Sequence, residues 1–323
     1  MMERVVDPLA RQSSIWRQQS EMIGFVVMVV ALLIAPFVTY PLFLMQAMCF
    51  ALFACAFNLL IGYVGLLSFG HALYFGWASY LAAYAAKAWG LTPELAIVVG
   101  TLTATVCGAI AGSLAIRRQG IYFAMITLAL AQMMYFVALR TKFTGGEDGI
   151  QAVPRGHLFG AVDLRDEWSM YVFVLAIFLA GFLLIYRIIH SPFGEVLKAI
   201  RENETRAISL GYKTERYKLL AFVLSATLAG AAGSTKAILL GIASLTDVNW
   251  PMSGEVVLMS LVGGLGTIFG PVVGAFVILM LEYKLAFLGE WVLVIQGLIF
   301  VACVLLFRRG IVGEIANWLR IRL

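Results

Sequence analysis

Apolar runs of about 20 residues recur along almost the whole chain, and they limit the possible folds more than any other feature. A run of that length matches the α-helix that crosses the hydrocarbon core of a bilayer. Of the 323 residues, 62% are hydrophobic and 13% are charged, against about 25% charged in soluble domains. Alternating strands of about ten residues, which would indicate a transmembrane barrel, are not seen. The sequence therefore predicts an all-α polytopic membrane protein.

We interpret ten runs as membrane spans. Because two of them are short, the number of spans is left at eight to ten, and some helices are expected to be short or broken. They lie at 22–40, 42–61, 71–88, 95–115, 121–139, 169–188, 218–241, 253–265, 268–285 and 291–307. The two short runs, the eighth and ninth, could form a helical hairpin. Most of the 23 basic residues flank one side, which the positive-inside rule assigns to the cytoplasm together with both termini.

Three parts follow from this arrangement of spans. A cytoplasmic arm is expected over 1–21, a transmembrane domain over 22–307 and a cytoplasmic tail over 308–323. Within the domain, 141–168 forms an external loop and 190–217 a cytoplasmic segment. The first apolar run exceeds the core of a secretory signal and lacks a clear cleavage motif, so we interpret it as a membrane helix.

Metal, disulfide and nucleic-acid chemistry are disfavoured by the distribution of the relevant residues. The four cysteines all lie in apolar runs and form no C-x-x-C pair, which favours ordinary core packing. The basic residues lie between hydrophobic runs and do not form one basic module, as a nucleic-acid-binding domain would. No catalytic residue and no metal site is therefore predicted.

The glycine-rich block GYVGLLSFGHALYFGWASY, residues 62–80, interrupts a very apolar region. Each Gly in a helix interior costs about 1 kcal/mol relative to Ala, and a membrane contains no water to satisfy freed backbone groups. The block therefore predicts a helix that is broken or very closely packed. Gly65, Ser68, Gly70 and His71 would line a translocation pathway in the first case and serve tight helix packing in the second.

The cytoplasmic sequence SPFGEVLKAIRENETRAISLG, residues 191–211, predicts one amphipathic helix. Ser191 is a suitable cap, Pro192 suits the first position and Gly211 is a natural stop. One face is apolar and consists of Phe193, Val196, Leu197, Ile200, Ala207 and Ile208. The helix could lie on lipid or dock on a soluble partner, and its mixture of acids and bases favours a partner.

The second glycine-rich sequence, GGLGTIFGPVVGA at 263–275, lacks the Lys and Ser/Thr of a phosphate-binding loop. Gly270 and Gly274 instead form a G-x-x-x-G step, which predicts a tight turn between two closely packed helices. The preceding short run contains Glu255. A carboxylate at the membrane centre is costly, so Glu255 is expected either near the outer rim or facing water or a partner helix, and it would serve as a helix cap or at an external mouth. Lys236 could pair with Glu255 or with Asp247.

Taken together, these blocks resemble the permease subunits of ABC importers for branched-chain amino acids, in particular the M-type of the two permeases. The resemblance covers about 57–313 and also includes TGGEDGI at 144–150. It implies a heterodimer with a homologous permease, two cytoplasmic ATPase subunits that bind ATP and Mg, an external substrate-binding protein and a bacterial inner membrane. No cofactor is expected in this chain.

The resemblance also implies roles for residues of the 191–211 segment, as the part that docks on an ATPase subunit. Those residues are Glu195, Lys198, Arg201, Glu202, Glu204, Ala207 and Gly211. Glu204, Ala207 and Gly211 match a loose E-x-x-A-x-x-x-G pattern, but Thr205 and Arg206 stand where smaller residues are expected.

Two other functions stay open at this point. The cargo could be urea, another amino acid or a small carboxylate. An ion-coupled secondary transporter would need an acid at the membrane midplane, and Glu255 is its one candidate. A membrane enzyme is disfavoured because the sequence contains no H-E-x-x-H or G-x-S-x-G motif.

Overall fold

The computed structural model describes residues 8–158, 160, 162–289, 291–306 and 310–318. Arg4 and all four basic residues of the predicted tail, Arg308, Arg309, Arg320 and Arg322, lie outside the described residues. In the described part, the α-helices are α1 (Pro8–Ile34), α2 (Pro41–Tyr63), α3 (His71–Lys87), α4 (Pro93–Ala115), α5 (Ile121–Arg140), α6 (Glu167–Ile189), α7 (Pro192–Glu202), α8 (Glu204–Ser209), α9 (Thr214–Leu240), α10 (Trp250–Gly263), α11 (Gly270–Leu285), α12 (Trp291–Leu306) and α13 (Gly310–Trp318).

The remaining regular elements are short and lie in the connections. They are 3₁₀ turns at Ala35–Phe37, Lys142–Thr144, Gly146–Asp148, Leu245–Asp247 and Ala286–Leu288, and the antiparallel strands β1 (His157–Leu158) and β2 (Val162–Asp163). The helix starts follow local chemistry. Pro41, Pro93 and Pro192 each stand in a first helical turn, where the missing N–H would have no intrahelical partner anyway.

Five helices are long and apolar enough to cross a membrane by length and composition, namely α2, α4, α5, α6 and α9. Each of the ten predicted spans contains a helix, with ends that differ by a few residues, but the first begins at Pro8 and so before the predicted start at 22. The protein is therefore a multi-pass helical membrane protein. The predicted hairpin of the eighth and ninth spans is confirmed, since α10 packs against α11.

Helix α2 forms the centre of the bundle and is buried along most of its length. It packs against α6, α9, α10 and α11, while α3, α4 and α9 form a second closely packed group. Glycine permits this approach, because a Cβ added at Gly108 would lie 2.5 Å from Ala226 Cβ and one at Gly112 would lie 2.8 Å from Phe222. Small-residue packing between helices is therefore present at these positions.

The outer surface of the bundle is apolar, as expected for helices in lipid. One continuous exposed stripe runs along α4 at four-residue intervals, and its members are Val98, Leu102, Val106, Ile110 and Leu114. In water, an exposed apolar surface of this kind would be a liability, whereas lipid tails cover it without cost.

Contacts between connections agree with the predicted division of the chain into two sides. Among connections predicted as external, Ile150 and Ala243 exchange two backbone hydrogen bonds of 2.9 Å. Among those predicted as cytoplasmic, Gln119 Nε2 donates to Glu204 Oε2 at 2.8 Å. We refer below to the predicted external end and the predicted cytoplasmic end of the bundle.

Candidate functional site

The predicted cytoplasmic segment consists of two helices, so the prediction of one helix over 191–211 is wrong. The chain turns extended at Asn203, with φ −158° and ψ 98°, and the Asn203 side chain accepts a hydrogen bond of 2.9 Å from Arg206 N. Asparagine readily bonds its own nearby backbone and therefore competes with helix continuation. Residue Asn203 thus ends α7 and caps α8.

The ends of the segment follow the sequence prediction. Ser191 Oγ accepts from Gly194 N at 3.3 Å and Pro192 is the first residue of α7. Gly211 has φ +89°, and the pair of bonds Gly211 N to Ile208 O and Tyr212 N to Ala207 O closes the C-terminus. This is the Schellman pattern, in which Gly adopts the left-handed conformation without strain. The predicted cap at Ser191, the first helical position at Pro192 and the stop at Gly211 are therefore confirmed.

The apolar stripe of the segment is largely covered by its own chain. Leu197, Ile200 and Ala207 are buried by the chain itself, and docking of the segment on a partner stays a prediction. Among the large apolar side chains of the segment, Ile208 is 56% and Leu210 70% exposed. Exposed apolar surface is therefore available on α8 and at Leu210, the residue that follows it.

The charged residues of the segment fall into two groups. Glu195 and Lys198 form an exposed pair at 2.8 Å on the outer surface of α7. Glu204 instead points into the protein, where Lys218 Nζ lies 2.6 Å from its carboxylate and Gln119 also donates to it. Glu204 therefore ties α8 to α9 and to the α4–α5 connection. Glu202 is exposed on the last turn of α7.

Arg201 connects the segment to both glycine-rich sequences. Its Nη1 donates to the carbonyl oxygen of Gly62. A Cβ added at Gly65 would lie 3.2 Å from Arg201 Cγ, and one added at Gly266 would lie 3.2 Å from Arg201 Nη1. The Arg201 side chain therefore packs against the turns at Gly65 and Gly266, where a residue larger than glycine would crowd it. Sequence reasoning placed Arg201 on the docking face and missed this contact, since nothing in the local pattern links residue 201 to residue 62.

Asn58 supports the same region from inside the bundle, and the sequence analysis did not single it out. Its buried side chain donates to Thr267 O at 2.9 Å and accepts from Gly266 N at 3.0 Å. It therefore holds α2 against the α10–α11 turn. A cavity of about 400 Å³ adjoins this contact at Gly266 and is also lined by Tyr63, Lys198, Arg201 and Glu202.

The glycine-rich block breaks the helix, as predicted. Helix α2 ends at Tyr63, Gly65 has φ +81°, and α3 begins at His71. Ala72 N donates to Ser253 Oγ at 2.9 Å. The break therefore leads the chain back into the bundle, so that α3 begins beside the first turns of α10. Within a membrane, irregular backbone is tolerated only where protein or a cavity surrounds it.

Ser68, Gly70 and His71 are enclosed by other helices. Ser68 Oγ accepts from Gly70 N at 3.2 Å, and a Cβ on Gly70 would lie 2.7 Å from Thr127 O. His71 Nε2 lies 2.8 Å from Ser225 Oγ, which donates to Ala56 O. These contacts support the packing interpretation, whereas the pathway role stays a prediction.

At the predicted external end, Lys236 Nζ donates to Asp247 Oδ1. Lys236 is 7% and Asp247 1% exposed, and the ammonium lies 5.6 Å from the ring centroids of Phe50 and Phe75. Of the two pairings considered from the sequence, the one with Asp247 is therefore present. The ion pair joins the last turns of α9 to the turn before α10.

Glu255 is not a helix cap, so that interpretation is wrong. Helix α10 begins at Trp250 and Asn249 occupies the cap position, where its side chain accepts from Trp250 N. Glu255 lies in the second turn, is partly buried, and interacts electrostatically with Glu282, Lys236 and Asp247. Glu255 thus lies within electrostatic reach of the ion pair.

A family profile matches most of the chain. The family is described as branched-chain amino acid transport system / permease component, and its profile matches residues 40–304. No solved structure matches the chain.

Individual relatives agree with the profile. The chain is 26% identical over 273 residues to the high-affinity branched-chain amino acid transport system permease protein LivM of Escherichia coli, which covers 77% of this chain and 64% of that protein. It is 26% identical to the probable branched-chain amino acid transport permease protein LivH of Methanocaldococcus jannaschii, over 76% of this chain and 81% of that protein.

A sugar permease is also similar, since the ribose import permease protein RbsC of Bacillus subtilis is 28% identical over 68% of this chain and 70% of its own length. The match spans 64% and 65% of the two LivM relatives, of Escherichia coli and Salmonella typhimurium. With the profile covering most of its length, the chain belongs to the family of permease components of branched-chain amino acid transport systems.

Proposed function

We propose that the chain is a permease subunit of an ABC importer that carries branched-chain amino acids across a bacterial inner membrane. The family and its LivM and LivH relatives support this cargo. In this proposal the chain crosses the membrane ten times with both termini in the cytoplasm. It pairs with a homologous permease, and an external binding protein delivers the cargo.

Energy comes from two separate ATPase subunits, which bind ATP and Mg outside this chain. The observation that carries this part is the α7–α8 segment at the predicted cytoplasmic end. It presents exposed Ile208 and Leu210 outward, and it holds the broken α2–α3 connection inward through Arg201 and Gly62. A force applied to the segment would reach the break directly.

The segment would act as a lever because it is fixed to the bundle at several places. Glu204 joins it to α9 through Lys218, and the N-terminal side is held at the end of α6, where His190 Nε2 lies 2.9 Å from Glu21 of α1. An ATPase subunit that moves α8 would therefore move α9, α1 and the break together. That motion would open the predicted cytoplasmic end and close it again.

The test is ATP-driven uptake by the assembled transporter. The chain is co-expressed with its partner permease, ATPases and binding protein, reconstituted in liposomes, and supplied with labelled leucine on the side of the binding protein. We expect uptake that requires ATP inside the liposomes and is competed by isoleucine and valine but not by urea. Uptake by this chain alone, driven by an ion gradient, would contradict the proposal and favour a secondary transporter.

A further inference from the structure

Two polar atoms at the buried ion pair have no hydrogen-bond partner in the described part of the chain. Asp247 uses Oδ1 for Lys236, whereas its Oδ2 is buried and unpaired. The hydroxyl of Tyr80, which is fully buried and interacts electrostatically with Asp247, is also unpaired. Buried polar groups are nearly always satisfied, so each unsatisfied group calls for an explanation.

Acidic side chains outnumber basic ones in this neighbourhood. Glu255 and Glu282 interact electrostatically, and Glu255 also interacts with Lys236 and Asp247. Of these four side chains, Lys236 is the basic one. A positive group beside Asp247 would be attracted to its buried carboxylate, since opposite charges at short range are strongly attractive in a dry site.

The site is closed by tightly fitting neighbours. Phe50 and Phe75 flank the Lys236 ammonium, and a Cβ added at Gly76 would lie 2.7 Å from Val248 N. A ligand could therefore enter only when α3 and the 245–248 turn separate. Separation that leaves either charge alone in such surroundings is unfavourable, because a buried ion needs a partner.

We propose that Lys236, Asp247 and Glu255 recognise the zwitterionic headgroup of an α-amino acid by exchange of this ion pair. The carboxylate of the cargo replaces Asp247 on Lys236. The ammonium group of the cargo binds the released Asp247 and Glu255, and the Tyr80 hydroxyl donates to a carboxylate oxygen. No covalent bond changes, and neither Lys236 nor Asp247 is left unpaired.

The exchange explains why a zwitterion is the appropriate ligand class. A carboxylate without an amino group would pair Lys236 but leave Asp247 unpaired, and an amine without a carboxylate would do the reverse. A neutral molecule such as urea or a sugar would satisfy neither ion. This inference rests on the proposed function, because it assigns the permease a part in selecting amino-acid cargo.

The test measures leucine uptake by the complete reconstituted transporter with its binding protein, for Lys236→Met, Asp247→Asn and the double variant. Each single change leaves one buried ion without its partner, whereas the double variant removes both charges. If the pair had only a structural role, uptake would therefore recover in the double variant. We expect the double variant to assemble and hydrolyse ATP, yet to take up leucine at least about tenfold more slowly than wild type, a difference of about 1.4 kcal/mol. The control is Lys142→Met, an exposed lysine at the same end, which should leave uptake unchanged.

Recovery of uptake in the double variant to the wild-type rate would overturn the inference. If the Lys236 and Asp247 variants fail to assemble, Tyr80→Phe decides, because it removes one hydroxyl without changing a charge. Loss of one hydrogen bond to a charged group predicts a KM for uptake raised about tenfold, and an unchanged KM would count against the site. Absence of uptake by wild type would reject the proposed function and, with it, this inference.

Discussion

The two ends of the bundle differ in how deeply their ion pairs are buried, because Glu204 of the cytoplasmic pair with Lys218 is partly exposed whereas both members of the external Lys236–Asp247 pair are buried. At the predicted cytoplasmic end, side chains bond to the backbone of glycine-rich turns, as Arg201 does at Gly62 and Asn58 at Gly266 and Thr267. At the predicted external end, a buried ion pair and direct backbone bonds between Ile150 and Ala243 join the connections. The side chain–backbone bonds at the cytoplasmic end move with the segment that forms them. The buried ion pair at the external end resists separation unless its charges find other partners.

The largest effect should come from a single change in the buried ion pair. Asp247→Ala leaves the Lys236 ammonium without its carboxylate, and loss of one member of a buried pair costs about 3–5 kcal/mol. Thermal unfolding in detergent should show a clear drop in Tm. Lys142→Met serves as the control. A Tm equal to that of wild type would show that the external end does not depend on this pair.

Asn58→Ala should have the next largest effect, at the opposite end. The change leaves the N–H of Gly266 and the carbonyl of Thr267 without this partner, and an unsatisfied buried group costs about 1–3 kcal/mol. The same unfolding measurement applies. If Asn58→Ala were as harmful as Asp247→Ala, the proposed difference between the two ends would disappear.

Loss of the cap at Ser191 should be milder. Ser191→Ala removes the hydrogen bond to Gly194 N, and loss of a helix cap costs about 1 kcal/mol. Ser191→Asp keeps an acceptor at this position and should remain close to wild type. Equal unfolding temperatures for Ser191→Ala and Ser191→Asp would contradict a capping role.

The smallest effect is expected at the exposed pair on α7. Glu195 and Lys198 are close but solvated, and exposed pairs contribute roughly 0–1 kcal/mol. Glu195→Ala should therefore unfold within about 1 kcal/mol of wild type. A larger loss of stability would mean that the outer face of α7 packs against something in the assembled protein.

The positions of helices could be predicted from the sequence because apolar runs, prolines and caps act locally. The break between Tyr63 and His71 was predictable for the same reason, since glycine density reports backbone conformation. The helix break at Asn203 was missed because the neighbouring residues are compatible both with a continued helix and with a new helix cap. The choice depends on how the two short helices pack.

Contacts between distant residues could not be predicted in this way. Arg201 and Gly62 are far apart in sequence, and neither has a local pattern that names the other. For Lys236 the sequence left two acids open, and the turn at Leu245–Asp247 selects Asp247 by bringing it against α9. Burial of Leu197 and Ile200 was likewise set by packing of α7, because periodicity identifies an apolar face but not what covers it.

The most direct test of the account concerns Arg201, which would transmit motion of the α7–α8 segment to the broken connection. The measurement is the ratio of leucine uptake to ATP hydrolysis in the reconstituted transporter, for Arg201→Gln and for Arg216→Gln, an exposed arginine of α9, as control. We predict that Arg201→Gln lowers the ratio about tenfold while Arg216→Gln leaves it unchanged, since about 1.4 kcal/mol of lost coupling corresponds to a factor of ten. A wild-type ratio in Arg201→Gln would contradict the account.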